Sequence, residues 1–206
     1  MNQPTRLLLV RHAEVETRYH RIFGGRIDMN LSARGLVQAG ALAKYLQPRT
    51  FDAIYASPMK RVQQTLAPVL DGRGQTPVTL PGLREVDFGD WTGLTWEQVK
   101  AQFNRSAYDW LNQLELDAIP NAESGKTFRA RVEPCVQQIL RDHPGQNVAV
   151  ACHGGTIRMI LSILLALPFS QMALFEIEYA SLSQIHCSPN QTEIQLLNFT
   201  PWRDAP

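Results

Sequence analysis

The sequence predicts an α/β fold: a three-layer sandwich with a mainly parallel central sheet, helices on both faces and a small helical cap insertion. Three observations carry this. Short apolar runs that read as buried strands alternate with longer segments of helical period. Two of those runs, 7–10 and 148–152, lead into Arg11-His12 and His153, at strand ends where open α/β sheets bind their ligands. From about 86 to 122 the alternation gives way to short helical stretches holding Trp91, Trp96 and Trp110, which read as a crossover or cap.

Each element has a local reason. Residues 6–10 form the first strand, and the polar stretch 12–30, with Gly24-Gly25, a loop. Ser32 is the N-cap of a helix reaching about Gln47, with Leu36, Ala39, Ala43 and Leu46 at helical spacing and Pro48 as its stop. Residues 51–56 are a second strand. Ser57-Pro58 then reads as an N-cap followed by proline at the first position of a helix to about Leu70. After the turn at 71–74, residues 76–80 are a third strand. A helix over 124–143 ends at Pro144-Gly145, and 147–152 is a strand. Gly154-Gly155 opens a helix that ends before Pro168, and 182–187 with 193–199 form a hairpin across Ser188-Pro189-Asn190.

A length of 206 residues favours one domain spanning 1–206. With 44% hydrophobic residues the chain can bury a sizeable core. A net charge of +1 argues against a nucleic-acid partner but leaves room for a local basic pocket. Cys135, Cys152 and Cys187 are unclustered, which speaks against a disulfide framework or a cysteine zinc site and fits a cytoplasmic protein. No targeting segment is evident. The longest apolar stretch, 159–169, is broken by Ser162 and Pro168 and falls short of the ~18 residues a membrane span needs. The sequence does not specify an oligomeric state.

Four segments could carry chemistry, and each has a plainer reading. His12 beside Arg11 could be a nucleophile or base next to an anion site, or an incidental loop histidine. Arg61 in the first turns of a helix could join an anion site, or be a solvated cation on an ordinary capped helix. Gly154-Gly155 after His153 could let backbone amides approach an oxyanion, or only allow close strand–helix packing. Residues 83–91 gather Glu85, Asp87 and Asp90 around aromatics and Gly89, so that a partly buried carboxyl could act as an acid, or the segment is a solvated turn.

Taken in order, Arg11-His12, Arg61, Leu83-Arg84-Glu85 and His153-Gly154-Gly155 resemble the histidine phosphatase superfamily, also called phosphoglycerate-mutase-like. Supporting matches are Gly25, Asp28 and Leu31-Ser32, Gly35 with Gln38-Ala39, Gly89 with Trp91 and Gly93-Leu94-Thr95, Pro120 with Glu123-Ser124, Arg131 and Arg158. The resemblance spans about 6–200. It implies that His12 is the nucleophile, that Arg11, Arg61, His153 and the Gly154 amide hold phosphate, and that Glu85 is the acid, then the base. Glu14 is a second candidate for the proton. Arg18, Arg84 and Glu14 are possible substrate contacts. No metal ion or other cofactor is implied. The chain departs from the family pattern at Ala13, Val15, Arg18, Thr92, Ala122 and Tyr179, which bears on substrate preference.

The expected activity is metal-independent hydrolysis of a small phosphorylated metabolite: an α-ribazole phosphate, phosphoserine, a sugar phosphate or a phosphoglycerate-type acid. Three alternatives stand beside it. The family's cofactor-dependent phosphoglycerate mutases resemble one another in being longer, with inserted segments that close over the site, whereas this chain is compact between 85 and 122. Cys152 and Arg158 have the spacing of a cysteine-dependent phosphatase loop, a reading that leaves Arg11-His12, Arg61 and Glu85 without work. A binding module without turnover would use the same pocket.

Overall fold

The strand that delivers Arg11 and His12 lies deep in the sheet, and its burial explains the apolar run that precedes them. The structure, a computed structural model, describes residues 3–205. Its strands are β1 (Thr5–Arg11), β2 (Ala53–Ala56), β3 (Val78–Thr79), β4 (Asn147–Cys152), β5 (Leu182–Ser188) and β6 (Gln191–Phe199). They form one sheet in the order β3-β2-β4-β1-β5-β6. The four strands from β3 to β1 are parallel, and β5 and β6 run antiparallel at one edge. The expected mainly parallel sheet is therefore observed.

Residues of β1 alternate between two core layers, as pleating requires. Leu8 and Val10 pack with Leu42 and Leu46 of α1 (Ala33–Leu46) and with Val62 and Leu66 of α2 (Lys60–Leu70). Leu7 and Leu9 face Phe128 and Val132 of α5 (Gly125–Asp142) and Ile157 and Leu161 of α6 (Gly154–Leu164). Burying each of these side chains contributes roughly 1.5–3 kcal/mol before conformational entropy is charged against it. Ser32 caps α1 by accepting from the Gly35 N–H at 2.9 Å, and Ser124 caps α5 by accepting from Thr127.

Some local expectations change. Ser57 does not cap α2: Met59 is extended (φ −72°, ψ 139°), so the helix starts at Lys60, and the Ser57 hydroxyl accepts from the Met59 N–H at 3.4 Å and has room for a second partner. The third strand shrinks to Val78–Thr79, because it is an exposed edge paired only with β2. A 3-10 segment over Phe169–Leu174 and a short C-terminal helix, α7 (Pro201–Asp204), carry no clear periodic signal.

The cap holds α3 (Trp96–Phe103) and α4 (Trp110–Glu115). Trp91 is fully buried at its root and packs on Phe23 (5.2 Å between centroids), tying the cap to the loop after β1. Backbone bonds from Phe23 to Leu94 and from Gly93 to Phe23 complete the tie. Gly89 closes the cap's base at φ +51°, where a Cβ would meet the backbone of 121–122 at 2.2–2.3 Å.

Candidate active site

The parallel pair β1 and β4 brings Arg11 opposite Cys152, so the residues that follow, His12 and His153, leave the sheet side by side. The His12 N–H donates to the Cys152 carbonyl and its own carbonyl accepts from Ala180, which pins the main chain on both sides. The His12 ring is 6% exposed and 5.2 Å from the His153 ring. Its Nδ1 lies 2.8 Å from the Ala13 carbonyl. A carbonyl can only accept, so Nδ1 carries the proton and Nε2 the lone pair.

Arg61 stands between the rings. Its Nε is 3.2 Å from His12 Nε2 and 3.2 Å from His153 Nδ1, while its Nη atoms donate to the carbonyls of Ile27 and Gly25. With Nδ1 accepting, His153 donates from Nε2 to the Ser57 hydroxyl at 2.8 Å. Thr65 receives the Ala13 N–H and donates to the Arg61 carbonyl, which locks α2 to the loop after β1.

Arg11 donates from Nη1 to the Ile177 carbonyl and lies 4.0 Å over the Tyr179 ring. Its Nε is buried with no partner. A buried donor left unpaired costs about 1–3 kcal/mol, so an anion that satisfied it would gain that much in return. Arg158, anchored through Nε to the Phe175 carbonyl, brings a third guanidinium to the cavity. Both guanidiniums lie beside Gly154, where a Cβ would stand in ordinary contact, 3.5 Å from Arg11 Cζ and from Arg158 Nη1.

Glu85 lines the same cavity. It accepts from the N–H groups of Val86 and Gly155, each at 3.0 Å. A Cβ on Gly155 would come within 2.6 Å of Glu85 Oε1, so a larger residue there would push the carboxylate out of its place. Arg131 holds the segment from behind: it donates to the carbonyls of Gly82, Arg84 and Glu85 and pairs with the nearly buried Glu123.

Burial first, and then the nearby guanidiniums, hold both His12 and His153 well below the usual histidine range, so both rings are neutral at pH 7. Burial also lowers Arg61 to about 10, which still leaves it charged at neutrality. Cys152 is fully buried in the core at the end of β4, and burial drives its thiol far up, away from the thiolate a cysteine nucleophile needs.

Arg11, His12, Arg61, Glu85 and Gly154 thus line one cavity of about 270 Å³, with His153 bonded to Arg61 beneath them. Arg18, Arg84 and Glu14 are not among its lining residues. Arg18 is exposed and paired with Glu16. Arg84 lines a separate surface groove with Asp28 and Met59. Glu14 is tied to the Ser32 hydroxyl and to Arg34. The Ser57 link to His153 was hidden in the sequence behind the signature of a helix cap. Among the described residues, no group of three or more His, Cys, Asp or Glu side chains is placed to hold a metal ion, and no helix is long and apolar enough to cross a membrane.

Cationic side chains converging on a lone-pair nitrogen at the C-terminal ends of parallel strands define a phosphoryl-binding class of site. The chain matches the family model of the histidine phosphatase superfamily (branch 1) over residues 7–200, and it belongs to that family. It is 30% identical to phosphoserine phosphatase 1 of Hydrogenobacter thermophilus over 195 residues, 95% of this chain and 92% of that one. It is 33% identical to a 2,3-bisphosphoglycerate-dependent phosphoglycerate mutase of Methylobacterium radiotolerans over 174 residues, 81% of this chain and 82% of that one. The crystal structure of the α-ribazole phosphatase from Shigella flexneri superposes with a TM-score of 0.85 at 26% identity, covering 95% of this chain and 97% of that chain.

Proposed function

We propose that the protein is a phosphomonoester hydrolase that needs no metal ion and works through a phosphohistidine on His12 Nε2. The observation that carries this is the pairing of a neutral, lone-pair Nε2 with a buried, unpartnered Arg11 Nε in one cavity. A phosphate dianion entering there satisfies Arg11 and draws the Arg61 guanidinium onto its oxygens, freeing Nε2 for in-line attack. The P–N bond forms as the P–O bond to the leaving group breaks. Glu85, which lines the same cavity, gives its proton to the departing oxygen. Water then attacks phosphorus, Glu85 takes a proton back, the P–N bond breaks and inorganic phosphate leaves. Neutral His153, donating to Ser57, keeps Arg61 in position. The guanidiniums supply the charge stabilisation that a metal ion supplies elsewhere.

The substrate is a small phosphorylated metabolite, in keeping with relatives named for phosphoserine and α-ribazole phosphate. Residues 1–206 work as one unit with 86–122 as its cap, and the unpaired cysteines suit the cytoplasm. Hydrolysis of 4-nitrophenyl phosphate in chelator by wild type, His12→Ala and Cys152→Ser tests the reading. Loss in His12→Ala with retention in Cys152→Ser is expected. The reverse pattern, or activity that dies in chelator, contradicts it.

A further inference from the structure

The charged groups and the apolar groups of the cavity are segregated. Among its described lining residues, the charged side chains are Arg11, Arg61, Arg158 and Glu85. Arg11 and Arg158 meet at Gly154, Glu85 meets Gly155, and Arg61 touches His12. The three guanidiniums are gathered where the phosphate binds, beside His12 and Gly154, and no cation is among the remaining lining residues, so a second acidic group held away from the phosphate would lie against apolar side chains.

The rest of the wall is aromatic and apolar. Tyr19, Ile22 and Phe23 come from the loop after β1, and Phe88, Trp96 and Trp110 from the cap. Phe23 packs edge-on against Phe88 at 4.8 Å, and Phe88 against Trp110 at 5.5 Å, so these rings form one surface. The guanidinium stacked on Tyr19, that of Arg18, is already paired with Glu16. A cavity of about 270 Å³ has room for a phosphate and about one ring, given that a cavity of ~150 Å³ holds a benzene.

Resting on the hydrolase reading above, we infer that the site selects monoesters whose alcohol carries an uncharged aromatic ring close to the phosphate, and discriminates against phosphorylated acids and amino acids. The ring of the alcohol lies against Phe88 and Trp110 while the phosphate sits on Arg11 and Arg61. Desolvating a carboxylate, which both 3-phosphoglycerate and phosphoserine carry, against the same rings is unfavourable. The cap therefore sets specificity and the strand ends set chemistry.

The test must not confuse recognition with leaving-group reactivity, so all probes are alkyl esters. Phenethyl phosphate, glycerol 1-phosphate, 3-phosphoglycerate and phosphoserine are compared by kcat/KM in chelator. The phenethyl ester is expected to exceed both acids by at least about 10-fold, mostly through KM, from burial of one ring. Trp110→Ala and, independently, Tyr19→Ala are expected to shrink that ratio several-fold. Tyr19→Arg is expected to raise turnover of 3-phosphoglycerate by supplying the missing cation. Equal kcat/KM for all four esters, a preference for either acid, or variants that lower every ester in proportion would overturn the inference and leave the hydrolase reading standing. Hydrolysis of none of the four, nor of 4-nitrophenyl phosphate, by wild type would overturn both.

Discussion

The floor of the cavity and its wall are built in opposite ways. The floor stands on the ends of β1 and β4, with His12 and His153 no more than 6% exposed and each ring nitrogen given one defined partner or role. The wall is made of a loop and a cap that meet through aromatic packing, and its outer members Tyr19, Trp96 and Trp110 are half-buried. Strand ends in a sheet buried on both faces leave little freedom, so they suit groups that must align with a phosphorus atom to within a fraction of an ångström. Loops tolerate replacement, so they suit the part that recognises the alcohol.

Breaking the floor has the largest effects. His12→Ala removes the proposed nucleophile and is expected to lower kcat by at least about 10⁴-fold in steady-state assays, with the circular dichroism spectrum unchanged. Glu85→Gln removes the proposed proton donor while keeping a side chain that can meet the Val86 and Gly155 amides only in part. It is expected to cost about 10³-fold on alkyl esters and much less on 4-nitrophenyl phosphate, whose leaving group needs no proton. If both esters fall equally, Glu85 is a positioning group and the acid is another residue.

Arg61→Met is expected to cost about 10²-fold in kcat/KM by removing one phosphate donor. It also sharpens the electrostatic account. The Arg61 charge holds His12 down, so its loss raises the His12 pKa toward the ordinary value, and the acid limb of the kcat/KM profile moves to higher pH. An unmoved limb would show that burial alone sets the titration.

The smallest effect is on stability. His12 and His153 titrate lower in the folded protein than in the unfolded chain, so below about pH 6.5 the unfolded chain takes up more protons. Their contribution is complete above that pH and is lost as pH falls below it, at up to about 1.4 kcal/mol per pH unit for each ring. Urea titrations between pH 5 and 7 are expected to show a shallower slope for His153→Gln than for wild type. Identical slopes would mean that the buried rings are not neutral.

The same contrast explains what is legible in the chain itself. The floor is legible because a buried parallel strand has a short-range signature and its next residue must emerge at the ligand-binding edge. The family resemblance then gathers Arg61 and Glu85, which come from separate elements and share no local pattern with His12. The wall is not legible. Trp96 and Trp110 are visible as part of a cap, but which way they face depends on how Phe23 and Trp91 dock the cap onto the loop. Arg18, Arg84 and Glu14 lie next to site residues in sequence, yet Glu14 turns to Ser32, Arg18 to Glu16 and Arg84 to a separate groove, because adjacent side chains in loops and strand ends diverge. The Ser57 hydroxyl reaches His153 only because Met59 delays the helix start, a choice no capping rule anticipates.

The central claim is covalent chemistry at His12 Nε2. Rapid acid-free quenching of wild type during turnover of 4-nitrophenyl phosphate, followed by peptide mapping by mass spectrometry, tests it most directly. The account requires a phosphoryl group on the His12 peptide that forms within one turnover and is absent in His12→Ala. A phosphoryl group on Cys152, or steady turnover with no phosphoenzyme and unimpaired activity in His12→Ala, would contradict it.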